Sequence, residues 1–314
     1  MPRTSSLAII AAMFISTLAP GAALAAGSAK AAWVSGHGTN AAGCGSLTNP
    51  CQTFQYTHDN VVAAGGLIAV LDSSNYGPLV IRNAISIVDD GGLAGIAVAS
   101  GDAIDIQAGP NDAVFLKGLH IDGLGTANNG IYLTSAGKLT IVNCTIKGFG
   151  ATTPDNGNGI RISVNSGSLD FSVSNTIVSL NSGVGVWLDL NGSSSPTASL
   201  KNVTLTSNAT GLVANASGSS GNAIVTIEDS VATRNSAIGF AAAARTPNVT
   251  IVADRVNASF NGSGLEAIGG AILLSNSVAT GNGTDLNNNG GTLTSYQNNV
   301  WTTHSGTISN ASLH

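Results

Sequence analysis

Three sequence markers recur together along the chain, and a repeat constrains a fold more tightly than any single element does. Strand-like fragments carry Asn or Asp at one fixed place, at Asn143, Asn175, Asn202, Asp229, Asp254, Asn276 and Asn298, with intervals of 32, 27, 27, 25, 22 and 22 residues. A second asparagine follows six residues later in several copies, at Asn181, Asn208, Asn235 and Asn282. Glycine followed by a large apolar residue comes next: Gly130-Ile131, Gly159-Ile160, Gly185-Val186, Gly211-Leu212, Gly239-Phe240 and Gly264-Leu265.

The period selects the architecture. At about 3.3 Å per residue, one repeat makes about three short strands with turns between them. The strands read inward-outward, as in Ile104-Asp105-Ile106, Ile160-Arg161-Ile162 and Val186-Trp187-Leu188. A leucine-rich repeat of similar length would bring a leucine consensus and helix formers, and neither is present. Stacked coils bury the aliphatic columns and set equivalent asparagines about 4.8 Å apart, where their amides satisfy one another. The sequence therefore predicts an all-β chain wound as a single-stranded parallel β-helix, a solenoid of about three strands per coil, from about Leu67 to Ile308.

Composition agrees with this. Only 9% of the 314 residues are charged, against 40 glycines and 31 asparagines, where ordinary domains carry about 25% charge. A surface covered by Asn, Ser, Thr and Gly argues against a helical bundle. Plentiful aliphatic residues and a net charge of −5 argue against disorder. The 11 Lys and Arg residues stand singly and form no basic patch, so nucleic acid is not an expected partner.

Three segments precede or make up the solenoid. Residues 1–25 read as a signal peptide, with Arg3, the apolar run Leu7 to Leu18 and the small-x-small site Ala23-Leu24-Ala25. Twelve apolar residues fall short of the roughly 20 that span a bilayer, so no transmembrane segment is expected. The product is expected in the periplasm or outside the cell, including its surface. Residues 26–66 form an N-terminal segment in which Cys44 and Cys51 close a small disulfide loop. Thr53 to Ala64 places Phe54, His58, Val61 and Val62 on one face of a short capping α-helix, with Thr53 as N-cap, laid over the first coil to block its open edge. Residues 67–314 carry the repeats, whose apolar content thins from Asn287 on. Cys144, within an apolar strand, is expected to be free and buried.

Trp33-Val34-Ser35, the Gly-rich stretch to Pro50, Thr53-Phe54 with its helix, and Ile68-Ala69-Val70-Leu71 before Tyr76-Gly77 resemble the opening of the pectin-lyase-like right-handed β-helix superfamily. Within it the chain is most similar to secreted β-helix repeat proteins of alphaproteobacteria. The resemblance implies right-handed winding. It leaves activity open, because such folds serve lyases, hydrolases, epimerases, esterases, phage tailspikes and non-catalytic surface proteins alike. A lyase-like site would imply calcium held by carboxylates and an arginine base. The metal candidates are then Asp102, Asp105 and Asp122, with Arg161 as base. A hydrolase-like site would imply paired acids, and Ser100-Gly101-Asp102-Ala103-Ile104-Asp105-Ile106 is similar to such a coil. The matching later positions, Asn129 and Asn158, are no acids.

One outward strip stands apart. The first outward position after each glycine marker runs Asp105, Tyr132, Arg161, Trp187, Val213, Ala241, Glu266, and the second runs Gln107, Thr134, Ser163, Asp189, Asn215. Aromatic planes beside charged and amide groups suit sugars. The expected ligand-binding set is Asp105, Tyr132, Arg161, Trp187 and Asp189, and the expected partner is a polysaccharide or cell-surface glycan. The alternative is a non-catalytic structural or adhesive protein of a surface or matrix.

Overall fold

The computed structural model describes residues 27–153, 155–245 and 248–312; the leader expected over residues 1–25 lies outside them. Three long sheets, of 12, 10 and 10 strands, run the length of the molecule, and all their pairings between named strands are parallel. The chain visits the first, second and third sheet in turn, as in Lys138–Val142, Thr145–Lys147 and Asn158–Val164 before it returns with Asp170–Ser174. This is a parallel β-helix, the architecture that the repeat requires.

Period-two alternation fills the interior. In the third sheet, Ile131, Ile160, Val186, Leu212, Phe240, Leu265 and Leu286 stack in register and are fully buried. Residues between the inward positions face out, which fixes the register, because a slip of one residue would turn the aliphatic set to solvent.

Winding begins earlier than the sequence suggested. Ala29–Val34 is already a strand of the first sheet and pairs with Val62–Val70. The helix is correspondingly shorter, Phe54–Asn60, because Val61 is its C-cap and the β-branched Val62 opens that second strand. Thr53 is its N-cap, accepting from the Tyr56 amide, and Phe54, Thr57 and His58 face inward. Gln55 closes the open edge of the third sheet. Its Oε1 accepts from the Val80 amide at 2.7 Å and its Nε2 donates to the Val80 carbonyl at 3.3 Å, so one side-chain amide stands in for a missing strand. The Cys44–Cys51 disulfide forms beside this cap, with Cα atoms 5.0 Å apart. Cys144 is free and buried, and burial pushes its thiol up to about 11.

The turns from second to third sheet carry the buried asparagine ladder. Asn181, Asn208, Asn235, Asn261 and Asn282 stack on successive coils. Each Oδ1 after the first rung accepts from both the backbone amide and the Nδ2 of the asparagine before it, as Asn235 does from Asn208 at 3.1 and 3.3 Å. The second Nδ2 hydrogen of Asn208 goes to the Val178 carbonyl at 3.1 Å. Asp285 terminates the stack, accepting from Asn282, Thr302 and Thr303. Burial works against its charge, but these hydrogen bonds outweigh it and hold the carboxyl down at about 2.

The ladder explains why glycine keeps step with asparagine. A Cβ on Gly185 would come within 2.9 Å of Asn208 Nδ2, and one on Gly211 within 2.4 Å of the Gly239 carbonyl oxygen. Asp254 proves to be one residue out of place. It ends a strand opposite Glu228, and Arg255 takes the left-handed turn position (φ 50°) that Asn202, Asp229 and Asn276 hold on other coils. Counting six from Arg255 gives Asn261, the rung the sequence reading missed. At the C-terminal end the coils shrink to Val300–Trp301, His304–Ser305 and Ile308–Ala311, largely exposed. No helix among the described residues is long and apolar enough to cross a membrane.

Candidate functional site

Register brings the outward strip together as counted. Val80, Asp105, Tyr132, Arg161, Trp187, Val213, Ala241 and Glu266 are consecutive partners across the third sheet, and Asp189 lies opposite Ser163. Gln107 departs from the count, because a register shift sets it opposite Ser135 instead of Thr134. Glu266 is buried and accepts from Asn289 at 3.3 Å, so it belongs to the packing of a later coil.

Side chains on neighbouring coils stack face to face, and this changes what the strip presents. The Arg161 guanidinium lies 4.7 Å from the Trp187 ring centroid and 5.5 Å from that of Tyr132. It bonds Asp189 at 2.9 Å, lies 3.6 Å from an Asp155 carboxylate oxygen, and donates to the Asp155 carbonyl at 2.8 Å. With only 12% of its side chain exposed, Arg161 is a strut between two rings. The aromatic planes expected to meet sugars are therefore partly covered: one face of each ring is turned toward the guanidinium.

The walls are loops that the repeat period did not predict. Connections from the second to the third sheet hold three residues at 76–78, six at 98–103, six at 123–128 and ten at 148–157, and then two to four on each later coil. Asp155 comes from the longest of them, at φ 67°. At the same corner Phe149 fills the place of a ladder rung, its amide donating to Asn181 Oδ1 at 3.1 Å. The ladder therefore begins where the long loops stop.

The acids gather at the N-terminal end of the strip. Asp102, Asn129 and Asn158 form a short column of their own: Asn129 donates to Asp102 Oδ1 at 2.8 Å, and Asn158 donates to Asn129 Oδ1 at 2.9 Å. Burial pushes the Asp102 carboxyl above its ordinary range, with the charge of Asp105 adding to it and the bond from Asn129 opposing. Gln107 donates to Asp105 Oδ2 at 2.6 Å. Both acids line a cleft of about 380 Å³ against Thr53 and Gln55 of the cap and Tyr76 to Val80. Among the described residues five buried side-chain polar atoms lack a partner, and three belong to this strip: Asp105 Oδ1, Arg161 Nε and Trp187 Nε1.

Asp122 does not join them. It ends a strand of the second sheet, 3.3 Å from Lys147, so Asp102, Asp105 and Asp122 do not converge as the calcium set named from the sequence. No group of three or more His, Cys, Asp or Glu suited to a metal ion occurs among the described residues. Compared with family models, curated proteins and solved structures, the chain matches none. The site is therefore read from its own geometry.

Proposed function

We propose that the protein binds an extracellular polysaccharide through the outward face of the third sheet, on the coils from Leu79 to Leu190. The observation that supports this reading is coincidence in place. The six- and ten-residue second-to-third-sheet loops, the cleft, and Asp102, Asp105, Tyr132 and Arg161 occupy the same coils, and Trp187 and Asp189 meet them from the next coil. Arg161 is assigned a positioning role. Paired with Asp189 and Asp155 and seated between two rings, it fixes the strip before any ligand arrives, which limits the entropy lost on binding. Hydroxyl-rich ligands would meet Asp105, Gln107, Tyr132 and the 148–157 loop. The leader sequence supports delivery to the periplasm or cell exterior, where such polymers occur.

Affinity electrophoresis in gels cast with individual polysaccharides tests the reading. The parent should be retarded by at least one polymer, Tyr132→Ala and Gln107→Ala should run free, and Val213→Ala should behave like the parent. A parent that no glycan retards would leave the structural or adhesive role in its place.

A further inference from the structure

Resting on the glycan-binding reading, we infer that the sugar accepted in the cleft between the cap and the third sheet carries a free amino group, so that the ligand is a cationic amino sugar rather than an acidic one. The charge on the strip is the first reason. Asp102, Asp105, Asp155 and Asp189 share one cation, Arg161, and its contacts are with Asp155 and Asp189. Among the described residues the two acids at the cleft have no arginine or lysine within ion-pair distance, and the Arg161 charge that reaches Asp102 is already engaged by Asp155 and Asp189, so a uronate placed there would add a third carboxylate to an under-compensated pair.

The second reason is a missing donor. Asp105 has one oxygen held by Gln107 and the other, Oδ1, buried with no partner. A buried acceptor without a donor is destabilising, and a ligand that supplies one recovers that loss. An ammonium group brings three N–H donors on a compact charge, enough for Asp105 with donors to spare for the neighbouring Asp102. It would also relieve Asp102, whose charge burial disfavours. The walls supply the rest of the recognition: Pro78 and Val80 offer apolar contact to a sugar ring, and Gln55 and Thr53 close the end. Calcium fits less well, since it takes six to eight oxygens and the third acid stands in another sheet.

Titration calorimetry on the full chain at low ionic strength tests this with five probes: a glucosamine hexamer, its N-acetylated counterpart, a galacturonate hexamer, maltohexaose and spermidine. The glucosamine hexamer should bind about tenfold or more tighter than each of the others, a gap of about 1.4 kcal/mol, and its affinity should fall with added salt. Asp105→Asn and Asp102→Asn, both isosteric, should each lose about tenfold, whereas Asp170→Asn on the first sheet should lose nothing; cooperative melting curves would show that each variant folds. Equal binding of the N-acetylated, acidic or neutral hexamer, or an Asp105→Asn variant that binds like the parent, would overturn the inference and leave glycan binding standing. Spermidine binding as tightly as the hexamer would overturn the sugar assignment. If no hexamer binds, both readings fall.

Discussion

The coils before Asn181 and those after it have the same three sheets and the same inward columns, yet they solve their corners differently. From Asn181 on, the turns from second to third sheet are two to four residues long, and those holding Asn181, Asn208, Asn235 and Asn261 are filled by a buried amide that bonds the next. Before it the ladder is replaced by Phe149, and the connections lengthen to six and ten residues. A stacked amide allows one backbone path, because its oxygen and both hydrogens are committed. A corner closed by a ring leaves the chain free to leave the coil and return. The long loops, the cleft, Asp105, Tyr132 and Arg161 lie on the second kind of coil, and Trp187 and Asp189 face them from the first coil of the regular scaffold.

The largest way to break this contrast is to remove a rung. Asn235→Leu keeps the volume but leaves the Asn208 backbone amide and one of its Nδ2 hydrogens buried without acceptors, at about 1–3 kcal/mol each. We expect a loss of about 2–5 kcal/mol in urea unfolding, with glycan retention intact in the folded fraction. An unchanged midpoint would mean that the ladder is ornamental.

Next comes the strut. Arg161→Ala removes the partner of Asp189, which is 15% exposed, and opens a gap between Tyr132 and Trp187. About 3 kcal/mol should be lost, the low end of the range for removing one member of a mostly buried pair. Arg255→Ala, at an exposed turn beside Asp229 and Asp254, should leave the melting temperature near the parent's. Thermal melts of both variants compare the two regions directly.

Acid should separate the ends with opposite signs. Asp285 has a folded pKa of about 2, below its ordinary 3.8, so the stability it contributes is complete above about pH 4 and lost as pH falls toward 2. Asp102 is shifted upward, so its coil binds the proton more readily when folded and loses stability as pH rises through that carboxyl. Hydrogen exchange should show the C-terminal coils opening between pH 4 and 2 while the Asp102 coil holds. Asp285→Asn should flatten the first trend and Asp102→Asn the second. Smallest of all, Asp155→Ala removes an exposed carboxylate whose pairing is worth at most about 1 kcal/mol, and the melting curve should barely move.

The repeat was legible because burial and hydrogen bonding impose it residue by residue. Glycine, asparagine and the inward aliphatic positions each answer a contact with the neighbouring coil, so the period, the strip and the disulfide could be counted. Arg255 hid a rung because the turn needs a left-handed backbone and tolerates several residue types, whereas Asp254 beside it matched the pattern by identity. The Ala29–Val34 strand was hidden because six residues alone do not show a period. The capture of Arg161 between two rings depends on how outward side chains fill space across coils, and counting gives their order but not their contacts. Asp122 looked like a partner of Asp105 because the two are near in sequence, while the winding puts them on different faces.

The interlock of Gly185 with Asn208, and of each later glycine with its asparagine, also bears on how such a chain can change. Every coil of the ladder offers its successor the same surface that it received from its predecessor. A tandem duplication of one whole coil among them would find both of its interfaces already made, and a deletion of one would rejoin matching ends. The length of this half is thus open to revision by copying, in steps of one coil, without disturbing the cleft at the other end.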